Sequence, residues 1–553
     1  MKGAELLFAP LGGCREIGMN LNAYAYGPPE DRRWIIVDVG VTFGDDSTPG
    51  VDLIMPDPVY LESFTDQIEA IILTHAHEDH IGAIGWLWPK LRAPIYATPF
   101  TAYLVAEKLR ERGLDGEAEL RVMQLGETRQ FGPFEVELVT LTHSIPEPNG
   151  LAIRTPLGTI LHTGDWKIDP DPIIGGDFDQ AKIEQLGHEG ILAMVCDSTN
   201  VFEEGEAGSE GMAREALKAA VAEQEGRVAI TSFASNVARV QSACEAARAN
   251  DRSVCLVGRS MIRIVGAAQS VGLLKEFNFI EPENAADLPH EHVLYLCTGS
   301  QGEPNAALAR IARGDHPTVK LGQGDTVIFS SRVIPGNERA IGEIQNQLAE
   351  RNIRLVTSRQ FDIHVSGHPC RDELRRMYAW AKPRIAIPVH GERRHIKEHA
   401  RFALSLQVPE AVTPDNGDLV RLAPGPVEVV DQVPAGRLHV DGEVLTSDKA
   451  GGLWERKKMA WNGHLSVSLV IAKGRVEDGP IIVARGFSET DGRPADESME
   501  PIDEAADAAL DGMSKNDLSD DDKIERILSK AVRRAAEVEF GKRPLVDITI
   551  HRI

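Results

Sequence analysis

At 553 residues the chain is too long for a single hydrophobic core and predicts roughly two to four domains. Its apolar fraction of 42% and charged fraction of 26% exclude a disordered chain, and no apolar run approaches the ~20 residues that cross a bilayer, so no membrane partner is expected. The net charge of −25 argues on its face against nucleic acid, but the acidic residues crowd Glu489 through Asp522, and bound cations stand outside the sum.

In chain order, Met1-Lys2-Gly3-Ala4-Glu5 enters a strand-like run with no signal-peptide pattern. The six cysteines, Cys14, Cys196, Cys244, Cys255, Cys297 and Cys370, form no CxxC pair, which predicts a cytoplasmic protein without disulfides. Leu6-Leu7-Phe8, Trp34-Ile35-Ile36-Val37 and Ile71-Ile72-Leu73 are apolar strand runs, the last ending in a histidine cluster. Thr159-Ile160-Leu161 and Ala193-Met194-Val195-Cys196 end likewise, with Asp165 and Asp197 just beyond. Acid-bearing residues past the C-terminal ends of buried strands are how layered α/β enzymes build sites.

From about Gly211 to Val356 helical segments (212–224, 237–249, 337–350) alternate with strand runs (228–231, 254–257, 293–297, 327–329). This alternation predicts a separate parallel α/β domain. The run Arg384–Val389 then returns to the earlier pattern and leads to His390, which makes the middle domain an insertion. Proline-rich sequence around Pro424–Pro434 predicts a linker, and the tail from about Trp461 predicts strands at 465–471, 481–485 and 546–550, an acidic loop and a helix near 523–540. The expected boundaries are 1–208 and 357–430 for the two parts of the first domain, 209–356 for the insertion, 431–460 for the linker and 461–553 for the C-terminal domain.

Thr74-His75-Ala76-His77-Glu78-Asp79-His80 places three imidazoles and carboxylates in one short loop after a buried strand. Imidazole with carboxylate suits Zn²⁺ or Mn²⁺ and leaves coordination positions open for water. On a tight loop His75 and His77 can share one ion while Asp79 and His80 turn toward a second. His143, Asp165 and His390, each just past a strand run, complete the shells, with Asp165 able to bridge through its two oxygens. Taken singly these three are more often structural, Asp165 as a turn cap; together the seven side chains describe a two-ion centre. Asp38, at the end of another strand, is expected behind the ligands, orienting a histidine or the loop itself.

These residues carry a resemblance. His75–His80 with His143, Asp165 and His390 resembles the metallo-β-lactamase superfamily, and the insertion before His390 resembles its β-CASP branch, which acts on nucleic acids. More narrowly, Cys196-Asp197-Ser198-Thr199-Asn200, Phe233-Ala234-Ser235-Asn236-Val237, Cys297-Thr298-Gly299-Ser300-Gln301-Gly302-Glu303-Pro304 and His364-Val365-Ser366-Gly367-His368 are similar to the bacterial ribonuclease J family. The resemblance implies an αββα sandwich with an inserted parallel α/β domain and a small α+β C-terminal domain. It implies one zinc on His75, His77, His143 and Asp165 and another on Asp79, His80, Asp165 and His390, with Mn²⁺ or Mg²⁺ also serving activity. It further implies RNA phosphates held by the His364–His368 segment, a structural calcium near Gly50, Asp52 and Asp441, homodimers or homotetramers, and association with other RNA-decay proteins. Ala238 stands where that family commonly has histidine, Asn305 where it has methionine, Arg393 where it has tyrosine, and Pro148-Asn149 where it has smaller residues. None of these removes a metal ligand; they bear on how substrate is gripped.

The expected activity is metal-dependent hydrolysis of RNA phosphodiesters, running 5′ to 3′ with some internal cutting, in RNA maturation and decay. Asp79 is expected to orient the nucleophile and His368 to stabilise or protonate the leaving oxygen. Ser232, Ser235 and Asn236, at a strand end opening a helix, with Ser366 and Gly367, predict a pocket for a 5′-monophosphate. Arg332 is a further expected phosphate contact, whereas Thr298–Gly302 lacks the GK[ST] ending of an ATP loop. Two other enzymes compete on the same core. A small-molecule hydrolase has no use for the large insertion, and a DNA nuclease differs only in its indifference to the 2′-hydroxyl.

Overall fold

The computed structural model describes residues 3–334, 336–447, 451–488 and 495–553. Its chain divides into two units, Met1–Thr42 with Met55–Arg437, and Phe43–Ile54 with Leu438–Ile553.

The first unit is built on two sheets. One has eight strands in the order Glu428–Gln432, Asp418–Ala423, Glu5–Gly12, Leu21–Gly27, Arg33–Val37, Ile68–Ile72, Ile95–Ala97 and Leu120–Val122. The other has seven: Thr128–Phe131, Phe134–Thr140, Asn149–Thr155, Gly158–His162, Ile191–Asp197, Ile385–Val389 and Glu410–Ala411. Phe8, Tyr24, Ile35 and Val37 from the first pack against Val136, Leu138, Ile153, Val195 and Ile387 from the second in one buried core. Alternate residues of the second sheet, Leu161, Met194 and Ala386, face the other way, onto Ile183 and Leu186 of helix Gln180–Glu189 and Leu374 and Met377 of helix Arg371–Ala381. Helices Ile84–Leu91 and Pro99–Glu111 lie on the first sheet's side, Pro99–Glu111 touching its strands Ile95–Ala97 and Leu120–Val122. These are the layers of an αββα sandwich.

The inserted segment forms a five-stranded, all-parallel sheet ordered Ser253–Val257, Val293–Cys297, Val228–Thr231, Thr326–Phe329 and Arg354–Val356. It leaves after strand Ile191–Asp197 and the chain returns as Ile385–Val389, which pairs with that strand in parallel, Asp197 opposite Val389. That register puts Asp197 beside His390 although the whole insertion separates them in sequence.

Three expectations need correction. The proline-rich stretch is no linker: Glu428–Gln432 is an edge strand on Asp418–Ala423, its prolines confined to the flanks where no ladder hydrogen bond is lost. Residues 431–460 likewise hold structure, the hairpin Arg437–Asp441 with Val444–Ser447 and the helix Gly451–Asn462. The acidic loop of the tail is largely the helix Ala495–Asp511, which buries Ile502, Ala506 and Leu510 at helical spacing; residues 489–494 lie outside the described ones.

In the second unit, Leu465, Val467, Leu469 and Ile471 alternate inward along strand His464–Ala472, which lies between Arg475–Arg485 and Leu545–Arg552. They meet Ile524, Leu528, Val532 and Ala536, one stripe of helix Asp521–Phe540. Residues 43–54, which the sequence does not set apart from the first domain, belong to this unit. All six cysteines are buried and free. Among the described residues no helix is long and apolar enough to cross a membrane.

Candidate metal centre

Five strands of the sandwich deliver the centre from their C-terminal ends. Ile68–Ile72 runs into the His75–His80 loop, Phe134–Thr140 into His143, Gly158–His162 into Asp165, Ile191–Asp197 ends in Asp197 itself, and Ile385–Val389 runs into His390. Two positions there hold left-handed backbone without being glycine, Asp38 (φ 63°) and His390 (φ 51°). Such conformations are uncommon outside glycine and gather where surrounding structure enforces a functional geometry. At Gly40 a Cβ would sit 1.7 Å from the Asp79 carbonyl, so only glycine lets that strand end approach the histidine loop.

The ring nitrogens are sorted by their outer partners. His75 Nδ1 lies 3.0 Å from Thr74 Oγ1, His143 Nδ1–H donates to the Gly367 carbonyl at 2.6 Å, and His77 Nε2–H donates to Ser235 Oγ at 3.1 Å. The opposite nitrogens turn inward, His77 Nδ1 lying 3.1 Å from His75 Nε2 and 3.0 Å from His143 Nε2. Burial, with the neighbouring imidazoles, holds His75 and His143 well below the ordinary imidazole value; His77, for which burial is again the largest cause, falls to about 4. Three neutral imidazoles with converging lone pairs are a donor set for a cation.

His80 Nδ1–H donates to Asp38 Oδ2 at 2.7 Å, and its Nε2 faces Asp165 Oδ2 at 3.2 Å and Asp79 Oδ2 at 3.5 Å. His390 Nε2 lies 3.5 Å from the same Asp165 oxygen and 3.6 Å from Asp79. Burial disfavours charge on His80, but Asp165, Asp79 and Asp38 outweigh it and hold the ring well above its usual value. Asp165 is held well below the carboxylate range: burial opposes this, and His390 and His80 overcome it. Its Oδ2 also stands 3.9 Å from both His75 Nε2 and His143 Nε2, between the two donor sets. The ligand atoms of His75, His77, His143 and Asp165 lie within 4.8 Å of one another, as do those of Asp79, His80, Asp165 and His390. These are the two sets expected from the resemblance, and their chemistry fits divalent ions. Asp38 stands behind them as expected, its carboxylate also accepting from the Thr74 amide at 2.8 Å.

Three residues here carry roles that the sequence did not assign. Asn20 contacts His80 Nε2 at 3.2 Å and His390 Nδ1 at 3.0 Å, and donates to the Asp79 carbonyl at 3.0 Å. Asp197 accepts from His368 Nδ1–H at 2.8 Å through one oxygen and from Thr199 through the other. Asn200 clamps the His364–His368 loop, its Nδ2 donating to Ser366 Oγ at 2.7 Å and to the His368 carbonyl at 3.0 Å. Burial lowers the His368 pKa, but the charge and hydrogen bond of Asp197, with Asp165 and Asp79, lift it to about 9. The only sequence signal for Asp197 and Asn200 was the family-like motif that contains them; for Asn20 there was none.

Of the expected phosphate contacts, several are committed elsewhere. Asn236 caps helix Val237–Ala249, accepting from the Arg239 amide at 2.9 Å and donating to Glu210 at 3.0 Å. Ser235 faces His77. The Ser366 amide donates to Ala207 O at 3.2 Å, so it is not presented to a ligand. Arg332 is an exposed side chain paired with Glu203 at 3.2 Å. Ser232 is buried, its hydroxyl lacking a protein partner among the described residues. His364 is kept neutral, pushed down to about 3 by burial and then by Arg239. Val365 packs against Gly208, where a Cβ would meet it at 2.9 Å. Gly367 must be glycine, since a Cβ would stand 2.8 Å from both His143 Cε1 and Ser144 Oγ.

Of the residues expected to hold calcium, two lie beside the Arg456 guanidinium. Asp441 pairs with Arg456 at 2.5 Å, a Cβ on Gly50 would lie 3.0 Å from the same guanidinium, and Asp52 is exposed.

Family models match the chain along its length: the metallo-β-lactamase superfamily over residues 19–258, the ribonuclease J β-CASP domain over 225–348, a Zn-dependent metallo-hydrolase RNA specificity domain over 354–405 and the ribonuclease J C-terminal domain over 451–553. A ribonuclease J of Sinorhizobium meliloti is 44% identical over 552 residues, covering 99% of this chain and 98% of its own. The chain belongs to the ribonuclease J family. It is accordingly a metal-dependent hydrolase acting on RNA. The ribonuclease J of Mycobacterium tuberculosis is 36% identical over 98% of this chain and 96% of its own, and that of Thermus thermophilus 37% over 86% and 84%. A crystal structure of an Enterococcus faecalis protein of unknown function shares the fold, with a TM-score of 0.53 at 17% identity over 75% of this chain and all of that one.

Proposed function

We propose that this enzyme degrades RNA from a 5′-monophosphate end in the 5′-to-3′ direction, can also cut internally, and works with two zinc ions per chain, Mn²⁺ or Mg²⁺ serving in their place. The observation that carries this reading is the convergence of two four-residue donor sets on one shared carboxylate, Asp165. His75, His77, His143 and Asp165 would hold one ion, and Asp79, His80, Asp165 and His390 the other. Ions so held supply activation of water near neutral pH and neutralisation of charge on the phosphoryl oxygens.

The chain's own residues do the rest. Asp79 orients the attacking water with its carboxylate. His368, its Nδ1–H fixed by Asp197, has Nε2 free to give a proton to the leaving ribose oxygen. The His364–His368 loop and the buried Ser232 hydroxyl border the 5′-phosphate. The insertion reaches the catalytic loop directly through Ser235 and His77, so it forms a wall of the same cleft. Edge strand Arg475–Arg485, with Ile481 and Val483 exposed, supports assembly into a homodimer or homotetramer through the C-terminal unit.

One assay tests the reading: RNAs bearing a 5′-monophosphate, 5′-triphosphate or 5′-hydroxyl, labelled at either end, incubated with added metal or with chelator. Stepwise mononucleotide release confined to the monophosphate strand is expected. Equal rates on all three ends would remove the end pocket, and undiminished cleavage after chelation would remove the ions. Matched DNA strands in the same assay report discrimination at the 2′-hydroxyl.

A further inference from the structure

Helix Gly451–Asn462 carries a face that its own unit does not use. Leu453 turns into the protein, but Trp454 and Trp461 are 57% and 79% exposed. Of the chain's seven tryptophans these two alone fall among the exposed residues; the others are buried or partly buried. Trp454, Lys457, Lys458 and Trp461 stand at i, i+3, i+4 and i+7, so they share one stripe of about 100°. That spacing normally carries a buried apolar seam. Here it carries two exposed indoles with two lysines between them, Lys457 exposed and Lys458 half-buried, on a chain of net charge −25.

We infer that this stripe is a second RNA-contact face, binding single-stranded RNA outside the catalytic centre. The inference rests on RNA being the substrate. Large exposed aromatics mark surfaces that meet a partner. The lysines say which kind: lysine is depleted from the dry centres of protein interfaces because its ammonium is costly to desolvate, whereas a nucleic acid strand offers bases to stack on the indoles and phosphates to pair with the lysines. Lys458 Nζ already lies 4.7 Å from the Trp454 ring centroid, which shows the open indole face accepting a cation. Seven residues of helix separate the two indoles by roughly 10 Å along the axis, a gap that a few nucleotides of a flexible strand bridge. Beside the stripe, Met459 and Ala460 of the same helix join Asp441, Arg456, His464 and Arg485 around an open hollow of ≈ 640 Å³.

The test uses the full-length, metal-loaded enzyme and a phosphorothioate strand of about 30 nucleotides that is cut slowly, with an RNA of about 5 nucleotides as cleavage substrate. W454A and W461A are each expected to weaken binding of the long strand about tenfold. K457Q/K458Q is expected to flatten the dependence of log affinity on log salt by about 0.7 per lysine. Cleavage of the short RNA, metal content and melting temperature should stay as in the parent. Unchanged long-strand affinity and salt slope in the combined variant W454A/K457Q/K458Q/W461A would overturn the inference. So would a change of sedimentation behaviour with strand affinity intact, which would assign the face to a second copy of the chain. A parent enzyme that cuts no RNA would count against the ribonuclease reading alone, since strand binding is measured separately.

Discussion

His77 shows how much of the centre's design rests on a single ring. Its Nδ1 looks inward at His75 and His143, while its Nε2–H is tied to Ser235 on the inserted domain. Replacing it by alanine should abolish cleavage and remove one ion per chain, read by metal analysis beside an RNA assay; full activity in that variant would end the two-ion account. His368 makes a different demand. It donates to Asp197 and stands 3.9 Å from Asp165, so H368A should lower turnover by ~10²–10⁴ while metal content stays normal. Loss of metal in H368A would make it a ligand instead of a proton donor. Gly367 supplies a third case: G367A forces a methyl against His143, so metal content and turnover should fall together. These residues differed in how visible they were. The His75–His80 loop was legible because imidazoles and carboxylates packed so closely in sequence have few structural uses. Asn20 was not, because an asparagine two residues after Gly18 looks like any turn residue until His80 and His390 are placed around it.

At the level of elements, the centre depends on strand ends held in register and on a loop held by buried charge. Helix Val237–Ala249 begins at Asn236 and sends Arg239 into the interior, where it pairs with Glu210 at 3.0 Å. The same guanidinium donates to the carbonyls of Ser330 at 3.1 Å and Ile363 at 2.7 Å, the latter just before the His364–His368 loop. Both partners are almost wholly buried, so E210A leaves an uncompensated charge and should cost roughly 3–5 kcal/mol, seen as a lowered thermal midpoint. A midpoint within a degree of the parent would show that water reaches Arg239. Glu210 is held below the ordinary carboxylate range, burial opposing and Arg239 outweighing it. Its contribution is therefore present above the unfolded-state carboxylate pKa and lost as pH falls through the depressed folded value. The elements expected in the insertion were legible to within about two residues, since alternating apolar runs and 3.6-residue periodicity are local properties, whereas helices Arg259–Ser270 and Ala307–Arg313 and the edge strand Arg354–Val356 were not expected. The edge strand Glu428–Gln432, flanked by prolines, was not legible, because its pairing partner lies in the sandwich and its own side chains are exposed.

For the whole molecule, the centre is also a clamp. It joins loops from five strands of the first unit, and the insertion closes onto it through Ser235. Ions that bind the folded chain and not the unfolded one stabilise it by mass action. Chelation should therefore lower the melting midpoint together with activity, and Zn²⁺ or Mn²⁺ should restore both; a midpoint indifferent to chelator would mean that the loops hold without their ions.

The sequence by itself determined the class of chemistry, the alternation that makes the insertion a parallel α/β domain, and the seven side chains nominated as ligands, since all of these are set by residue type and short-range spacing. Only the tertiary structure decided which nitrogen of each histidine faces inward, that Asp197 serves His368, that Ser235 and Asn236 are occupied by His77 and Glu210, and that Arg456 pairs with Asp441. Those outcomes depend on which polar groups are left unsatisfied once distant strands come together, and no local pattern in a chain records that.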